Sequence, residues 1–213
     1  LQDRVRVLDR DYRQLDGKFD KLVSIEMIEA VGHRYLPEFF RVCRRLLHDE
    51  GLAVLQAILI RDDRHAVHLS SSNFIRQYIF PGGDLPSLAS ILQATSRGTD
   101  LRLVHVEELS SHYAETLRRW RQAFLAQLEK VEKLGFDARF RRMWHYYLSY
   151  CEAAFTERQV NSVQLAFGCS GYRSDAWDAL PSLVDGKLSL AATDSTRSVS
   201  LPVNSSRTQE LVG

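Results

Sequence analysis

The sequence predicts an α/β fold, and three observations carry that expectation. Apolar runs of strand length recur at 21–25, 52–60 and 161–167. Between and after them lie longer segments whose apolar residues return every three or four positions, the helical period. The first elements follow in the order strand, loop, helix, strand, which a parallel sheet with a crossover helix produces. With 213 residues, 45% of them hydrophobic, the chain can bury a substantial core.

Taken in order, "RVRVLDRD" (4–11) alternates Val5 and Val7 with polar residues and reads as a short strand. Residues 21–25 read as a buried strand, followed by a loop that carries Glu26 and Glu29. In 35–51, Phe39, Val42, Cys43, Leu46 and Leu47 share one helical face, and Gly51 stands where a helix C-cap is expected. "LAVLQAILI" (52–60) is the next strand, and 61–100 reads as irregular. Residues 100–109 return to a strand. Two helices follow: 115–135, with Leu117, Trp120, Phe124, Leu128 and Val131 in register, and 137–155, N-capped by Asp137, with Phe140, Trp144, Tyr147, Leu148, Cys151 and Phe155 in register. Residues 161–167 close as a strand. The domain is thus expected over 1–169, with a Ser/Thr-rich, disordered tail over 170–213.

Composition excludes several classes of function. Net charge is +1, from 28 basic and 27 acidic residues, so nothing draws the whole chain to nucleic acid. Three dispersed cysteines, Cys43, Cys151 and Cys169, argue against a disulfide framework and fit a reducing cytosol. There is no CxxC. The HxxH of His65 and His68 lies in a polar stretch that reads more simply as a solvated loop than as a metal site. No metal is expected. No apolar run has the length of a membrane span, and no signal peptide is expected.

Ligands of parallel α/β sheets bind beyond the carboxyl ends of the strands. Asp11-Tyr12-Arg13, the segment from Ser24 to Glu29, and the segment from Gln56 to Ile60 meet that condition. An acid and an aromatic just past a strand suit a nucleoside, although strand ends are also acidic for solubility. Glu29 lies between Met27-Ile28 and Ala30-Val31-Gly32, so an inward turn of the loop leaves it poorly solvated, and such carboxylates titrate high and often do chemistry. A surface loop acid is the plainer alternative. "RQYIFPGGDLPS" (76–87) sets an apolar run directly against Pro81-Gly82-Gly83, which suggests a loop whose apolar side chains face something other than core.

"FDKLVSIEMIEAVG", "IRQYIFPGGDLPS", "HYAETLRRW" and "RFRRMWHYYLSYCEAAF", in this order and spacing, resemble the cyclopropane-fatty-acyl-phospholipid synthase family over roughly 4–167. The resemblance implies a class I methyltransferase (Rossmann-like) sheet with helical insertions forming an acyl-chain tunnel. It implies a reaction in which the alkene of a membrane lipid attacks the methyl of S-adenosylmethionine, and a base then removes a proton so that a ring closes. That base is a bicarbonate ion. Carried over position by position, Glu29, Tyr113 and the backbone amide of Ile58 hold it. Gln56 stands where the family has histidine; it can donate a hydrogen bond but cannot relay a proton, which leaves ring and methyl branch both open as products. Asp11, Tyr12 and Arg13 match the adenine side of the cofactor pocket, with Ser24 and Ile25 at its wall. Phe80, Leu85, Leu117, Tyr147, Cys151 and Phe155 match the tunnel, which has to be dry because water traps a carbocation.

The family's glycine-rich cofactor turn has no counterpart here, because no GxGxG occurs. In the implied strand order 3-2-1-4-5-7-6, "RVRVLD" is the third strand and "KLVSI" the fourth; the first and second are missing, so the chain reads as N-terminally truncated, with an exposed edge on its fourth strand. The resemblance implies a membrane phospholipid as substrate and a cytoplasmic enzyme in peripheral contact with the inner membrane face. Arginines in "LRRWRQ" and "RFRRMW" are either a headgroup-binding surface or a solvated helix face. A small soluble acceptor, and a non-catalytic remnant that binds lipid or a partner chain, are the competing functions.

Overall fold

The structure, a computed structural model, describes residues 4–173. Four strands, β1 (Phe19–Ile25), β2 (Leu47–Ile60), β3 (Arg102–Glu108) and β4 (Val160–Gly168), form one sheet in the order β1-β2-β4-β3. β1 runs parallel to β2, whereas β4 is antiparallel to both β2 and β3. The sheet is therefore mixed: the parallel pairing expected from the first strand, loop, helix and strand holds between β1 and β2, and β4 runs against its neighbours. The first connection is a crossover helix; β2 and β3, both antiparallel to β4, run in the same direction, and direction reverses only in the long excursion from β3 to β4. The order matches strands 4-5-7-6 of the sheet that the resemblance implies.

Helix α1 (Leu36–Leu46) makes the β1–β2 crossover, with Pro37 in its first turn, where a missing N–H costs nothing. Its Leu36, Phe39, Phe40 and Cys43 bury against Ala53, Leu55, Ala57 and Leu59 of β2 and Val163, Leu165 and Phe167 of β4. Phe40 is the centre of this core, edge-to-face with both Phe39 and Phe167. The helix does not run to Gly51. Leu47 is already extended and opens β2, and Gly51 lies inside that strand after a bulge, where a Cβ would sit 2.9 Å from the His48 carbonyl oxygen. A glycine that permits close backbone approach had the look of a helix terminator.

The stretch 61–100, expected to be irregular, holds α2 (Asp62–Ser70), a turn of π-helix (Ile75–Ile79) and α3 (Leu88–Ser96). Ser87 caps α3 through a reciprocal bond with Ser90, and Ile91 and Ala94 join the main core. Short polar helices of this kind lack the long periodicity that marks a helix in sequence. Past β3, α4 (Ser110–Ala126) begins earlier than expected. At Gln127 the backbone leaves helical geometry (φ −116°, ψ 18°), and α5 (Leu128–Lys133) follows, so the expected single helix is two. Trp120, placed on the apolar face by its spacing, is 54% exposed. α6 (Ala138–Thr156) begins as expected, with the Asp137 side chain accepting from the Phe140 N–H. α4 and α6 pack together around Leu117, Leu148 and Phe155, forming a second, smaller core.

The expected strand over 4–11 does not form. Val5, Val7 and Leu8 are exposed, and the chain gains support only at a 3-10 turn, Tyr12–Gln14, where Tyr12 packs edge-on against Phe39 and Arg45 donates to the carbonyls of Arg13 and Leu15. An alternating pattern makes a strand only beside another strand, and none among the described residues is adjacent. β1 ends the sheet on this side, with Val23 66% and Ile25 56% exposed. Of the stretch read as a disordered tail, 174–213 lie outside the described residues.

Two outcomes follow for stability. Amides of residues 5–8 are expected to exchange with solvent within the dead time of a hydrogen-exchange experiment, while that of Val54, in a strand paired on both sides, is among the slowest. Asp137→Ala is expected to cost ~1 kcal/mol, read as a lower urea midpoint with an unchanged slope.

Candidate active site

The site is built where β1 stops. Ile25 pairs with Gln56, and the next residue, Glu26, still donates its N–H to the Gln56 carbonyl (2.9 Å). Glu26 then takes φ +49°, a left-handed conformation unusual for a residue with a side chain, which costs on the order of 1 kcal/mol. The turn brings the Glu26 carboxylate back over β2. There Oε1 accepts from Gln56 Nε2 (3.0 Å) and Oε2 from the Tyr113 hydroxyl of α4 (2.8 Å). Gln56 Oε1 in turn accepts from Gln164 Nε2 on β4 (3.0 Å), which sets the orientation of the Gln56 amide.

Three residues on, a 3-10 turn (Ile28–Ala30) inserts Ile28 into the main core and points Glu29 at β2. Glu29 Oε1 accepts from the Ile58 backbone N–H (2.5 Å), while Oε2 is buried without a hydrogen-bond partner. Burial pushes the Glu29 carboxyl above its ordinary range, only partly opposed by the Ile58 bond, and the nearby Glu26 adds to the rise. Glu29 thus turns inward and is not a surface loop acid. Glu29, Gln56, Ile58 and Tyr113 are thus brought into one polar cluster at the ends of β1 and β2.

Its other wall is apolar. The Tyr113 ring stacks on Phe155 (4.6 Å between centroids), and Ile58, Leu117, Tyr147 and Cys151 belong to the same small core. Phe80 meets Tyr147 edge-on (6.2 Å) while remaining 56% exposed. Burial pushes the Tyr147 hydroxyl up to about 12 and the Cys151 thiol to about 11, and it raises Tyr113 as well, with the Glu26 bond adding to the effect. This is the signature of a poorly solvated wall. Five of the six expected tunnel residues gather here. Leu85 lies in the neighbouring loop, half-buried, its N–H donated to His68 Nε2 (3.1 Å).

That loop explains the run set against a chain breaker. Phe80-Pro81-Gly82-Gly83 is a turn closed by Gly83 N–H to Phe80 O (2.9 Å), with proline at its second position and Gly82 at φ +83°. Asp84 follows, buried. Its N–H donates to the Glu29 carbonyl (2.8 Å), and its Oδ2 accepts from the His33 backbone N–H (3.2 Å) and lies 2.7 Å from His33 Nδ1. The apolar loop is thereby anchored to the Glu29 turn. His68, expected in a solvated loop, instead lies on α2 and is buried against this anchor; among the described residues no group of side chains could hold a metal ion.

The residues expected around the cofactor sit on two elements. Ser24 and Ile25 end β1. Asp11, Tyr12 and Arg13 lie at the 3-10 turn, where Arg13 spans both Asp11 oxygens and holds its carboxyl down at about 2. Sequence reasoning placed Glu26 in a candidate segment without giving it a role, and passed over Gln164 and Asp84. For Glu26 a signal was available, a second carboxylate three residues before Glu29 at a strand end. Four of the six arginines of this surface are paired with three glutamates: Arg118 and Arg119 with Glu115, Arg121 with Glu152 and Arg141 with Glu132. That favours the solvated-face reading. No helix among the described residues is long and apolar enough to cross a membrane.

Because the folded-state pKa of Glu29 is raised, the fold holds this proton more tightly than the unfolded chain does. The contribution to stability is present below the ordinary carboxylate range and is lost as pH rises through the raised value. Glu29→Gln is therefore expected to match the wild type in melting temperature near about pH 4 and to exceed it increasingly toward neutrality. A constant offset across a pH series of thermal melts contradicts this.

Comparison with known proteins agrees with the geometry. Residues 1–165 match the family model for mycolic acid cyclopropane synthetase. Tuberculostearic acid methyltransferase of Mycobacterium tuberculosis is 44% identical over 161 residues, covering 76% of this chain and 38% of that protein. Cyclopropane-fatty-acyl-phospholipid synthase of Escherichia coli is 34% identical over 163 residues, covering 76% and 41% respectively. The chain thus spans about two fifths of the length of these relatives. Among solved structures, a mycolic acid cyclopropane synthase in complex with SAH and CTAB superposes with a TM-score of 0.69 at 28% identity, covering 76% of this chain and 60% of that one. With the match running over residues 1–165 and the sheet order that of the superposed synthase fold, the chain is a member of the mycolic acid cyclopropane synthetase family.

Proposed function

We propose that the protein takes part in S-adenosylmethionine-dependent transfer of a one-carbon unit to the double bond of an unsaturated phospholipid acyl chain, working peripherally at the inner membrane face. One observation carries the reading. A cluster containing two carboxylates, Glu26 and Glu29, opens directly onto an apolar aromatic wall, and an alkene passing through a cationic state needs both. A small soluble acceptor has no use for a wall made of Phe80, Tyr147, Phe155 and Leu117.

When bound, S-adenosylmethionine supplies an electrophilic methyl group. Ser24 and Ile25 offer it a wall at the end of β1, and Tyr12 offers an aromatic face; Asp11 is available to a ribose or adenine group on release from Arg13. These residues fit the adenosine side of the cofactor, while the methionine side has no glycine-rich turn in this sequence. Phe80, Leu85, Leu117, Tyr147, Cys151 and Phe155 line the acyl path and exclude water from the cation, whose charge the ring faces stabilise. Glu29 holds the Ile58 end of β2 in place, and Gln56 and Tyr113 orient the acid at the reacting carbon. The bicarbonate that the resemblance implies does not fit among these residues as they stand, because Ile58 already donates to Glu29, and Gln56 and Tyr113 to Glu26.

A methyl-branched product is the second reading. It is favoured by the amide at Gln56, which cannot relay a proton, and by the 44% identity to a tuberculostearic acid methyltransferase. The test is mass spectrometry of phospholipid acyl chains from a host lacking its own synthase. Unsaturated chains heavier by one methylene are expected, and the fragmentation pattern then separates ring from branch. An unaltered lipid profile from soluble, folded protein counts against catalysis by this chain and favours a lipid- or partner-binding role.

A further inference from the structure

We infer that Glu26 is the proton-accepting base of this site, so that the chain carries in its own side chain the carboxylate that a bound bicarbonate otherwise supplies. The inference rests on the one-carbon-transfer reading above and sharpens it. Every donor that the resemblance offers the anion and that this chain contains is already bonded to a carboxylate of the chain. The Tyr113 hydroxyl and the Gln56 amide converge on the two oxygens of Glu26 at 2.8 and 3.0 Å, and the Ile58 N–H is on Glu29 at 2.5 Å.

The arrangement is built. Glu26 holds a left-handed backbone that a glycine would adopt without strain, and it holds it at the turn that returns its own side chain over β2. The Gln56 amide is oriented from behind by Gln164, so that its NH2 group faces Glu26. A glutamine suits this partner, since it gives one oriented donor to a carboxylate and takes no proton from it. The Tyr113 ring, stacked on Phe155, places the same carboxylate at the boundary of the apolar wall where the acyl chain is proposed to run.

In chemical terms, the alkene π electrons form a C–C bond to the methyl carbon as its C–S bond breaks. S-adenosylhomocysteine leaves neutral, and the acyl chain carries the positive charge. Glu26 then accepts one proton from carbon, from the transferred methyl if a ring closes or from a carbon beside the cation if an alkene is re-formed. The pair of electrons released makes the new C–C or C=C bond, and the carboxylic acid returns its proton to solvent. No co-reactant beyond the methyl donor is required.

Two measurements test this on the purified chain. In the first, 13C-bicarbonate is titrated and its NMR line followed. Wild type is expected to leave the line unperturbed, and Glu26→Gly, which suits the φ +49° turn, to bind saturably through the freed Tyr113 and Gln56. Saturable binding to the wild type, or none to either protein, overturns the inference. In the second, turnover is followed in bicarbonate-depleted buffer. Wild type is expected to be unaffected, Glu26→Gln to lose about 100-fold or more, and Glu26→Gly to regain rate with added bicarbonate. A wild type that stops on depletion, or a Glu26→Gln variant at full rate, overturns it. If no variant modifies lipid, the transfer reading fails, and the titration by itself still decides whether Glu26 fills the anion position.

Discussion

The parallel pairing of β1 with β2, carried through to its last rung, is the constraint on which the rest of the site depends. Ile25 lies beside Gln56, and Glu26 still hydrogen-bonds the Gln56 carbonyl before the chain turns away. Because pairing ends there and not one residue earlier or later, the left-handed turn falls on Glu26. A shift of one residue would point the acid to the opposite face, into the Phe40 core, where a carboxylate has no partner. The core beneath, from α1 and α3 on one face of the sheet, holds that register.

On the other face two demands meet. Carboxylates need donors, and a cationic lipid intermediate needs dryness. The structure meets both by splitting the site along the Tyr113 ring, whose hydroxyl serves Glu26 while its face stacks on Phe155. The loop at Pro81-Gly82-Gly83 joins the halves from outside, since Asp84 binds the Glu29 turn while Phe80 meets Tyr147. An apolar run beside a chain breaker thus follows from one loop having to bond the polar half and present rings to the dry half.

Much of this was legible in the residues. The strands at 21–25, 52–60 and 161–167, the helix capped by Asp137, and the inward set of Glu29 between apolar neighbours all rest on local pattern, and local pattern survives folding. The departures have a common cause. Val5 and Val7 alternate, but with no neighbouring strand alternation has nothing to pair with. Gly51 looks like a helix cap, but the bulge between β1 and β2 claims it. The six arginines left a headgroup surface and a solvated face both open until four of them were seen paired with three glutamates on the same or adjacent helices.

The sequence by itself determined the α/β class, the amphipathic faces and the acids at the strand ends, because each follows from composition and period within a short window; the aromatic wall came only from the resemblance. Only the tertiary structure decided that the sheet is mixed, that Gln56 and Gln164 lie side by side across 108 residues, and that Glu26 and not Glu29 receives Tyr113. Those are pairings between distant segments, and the hydrogen-bond geometry that selects among possible partners exists only once the strands have set their register.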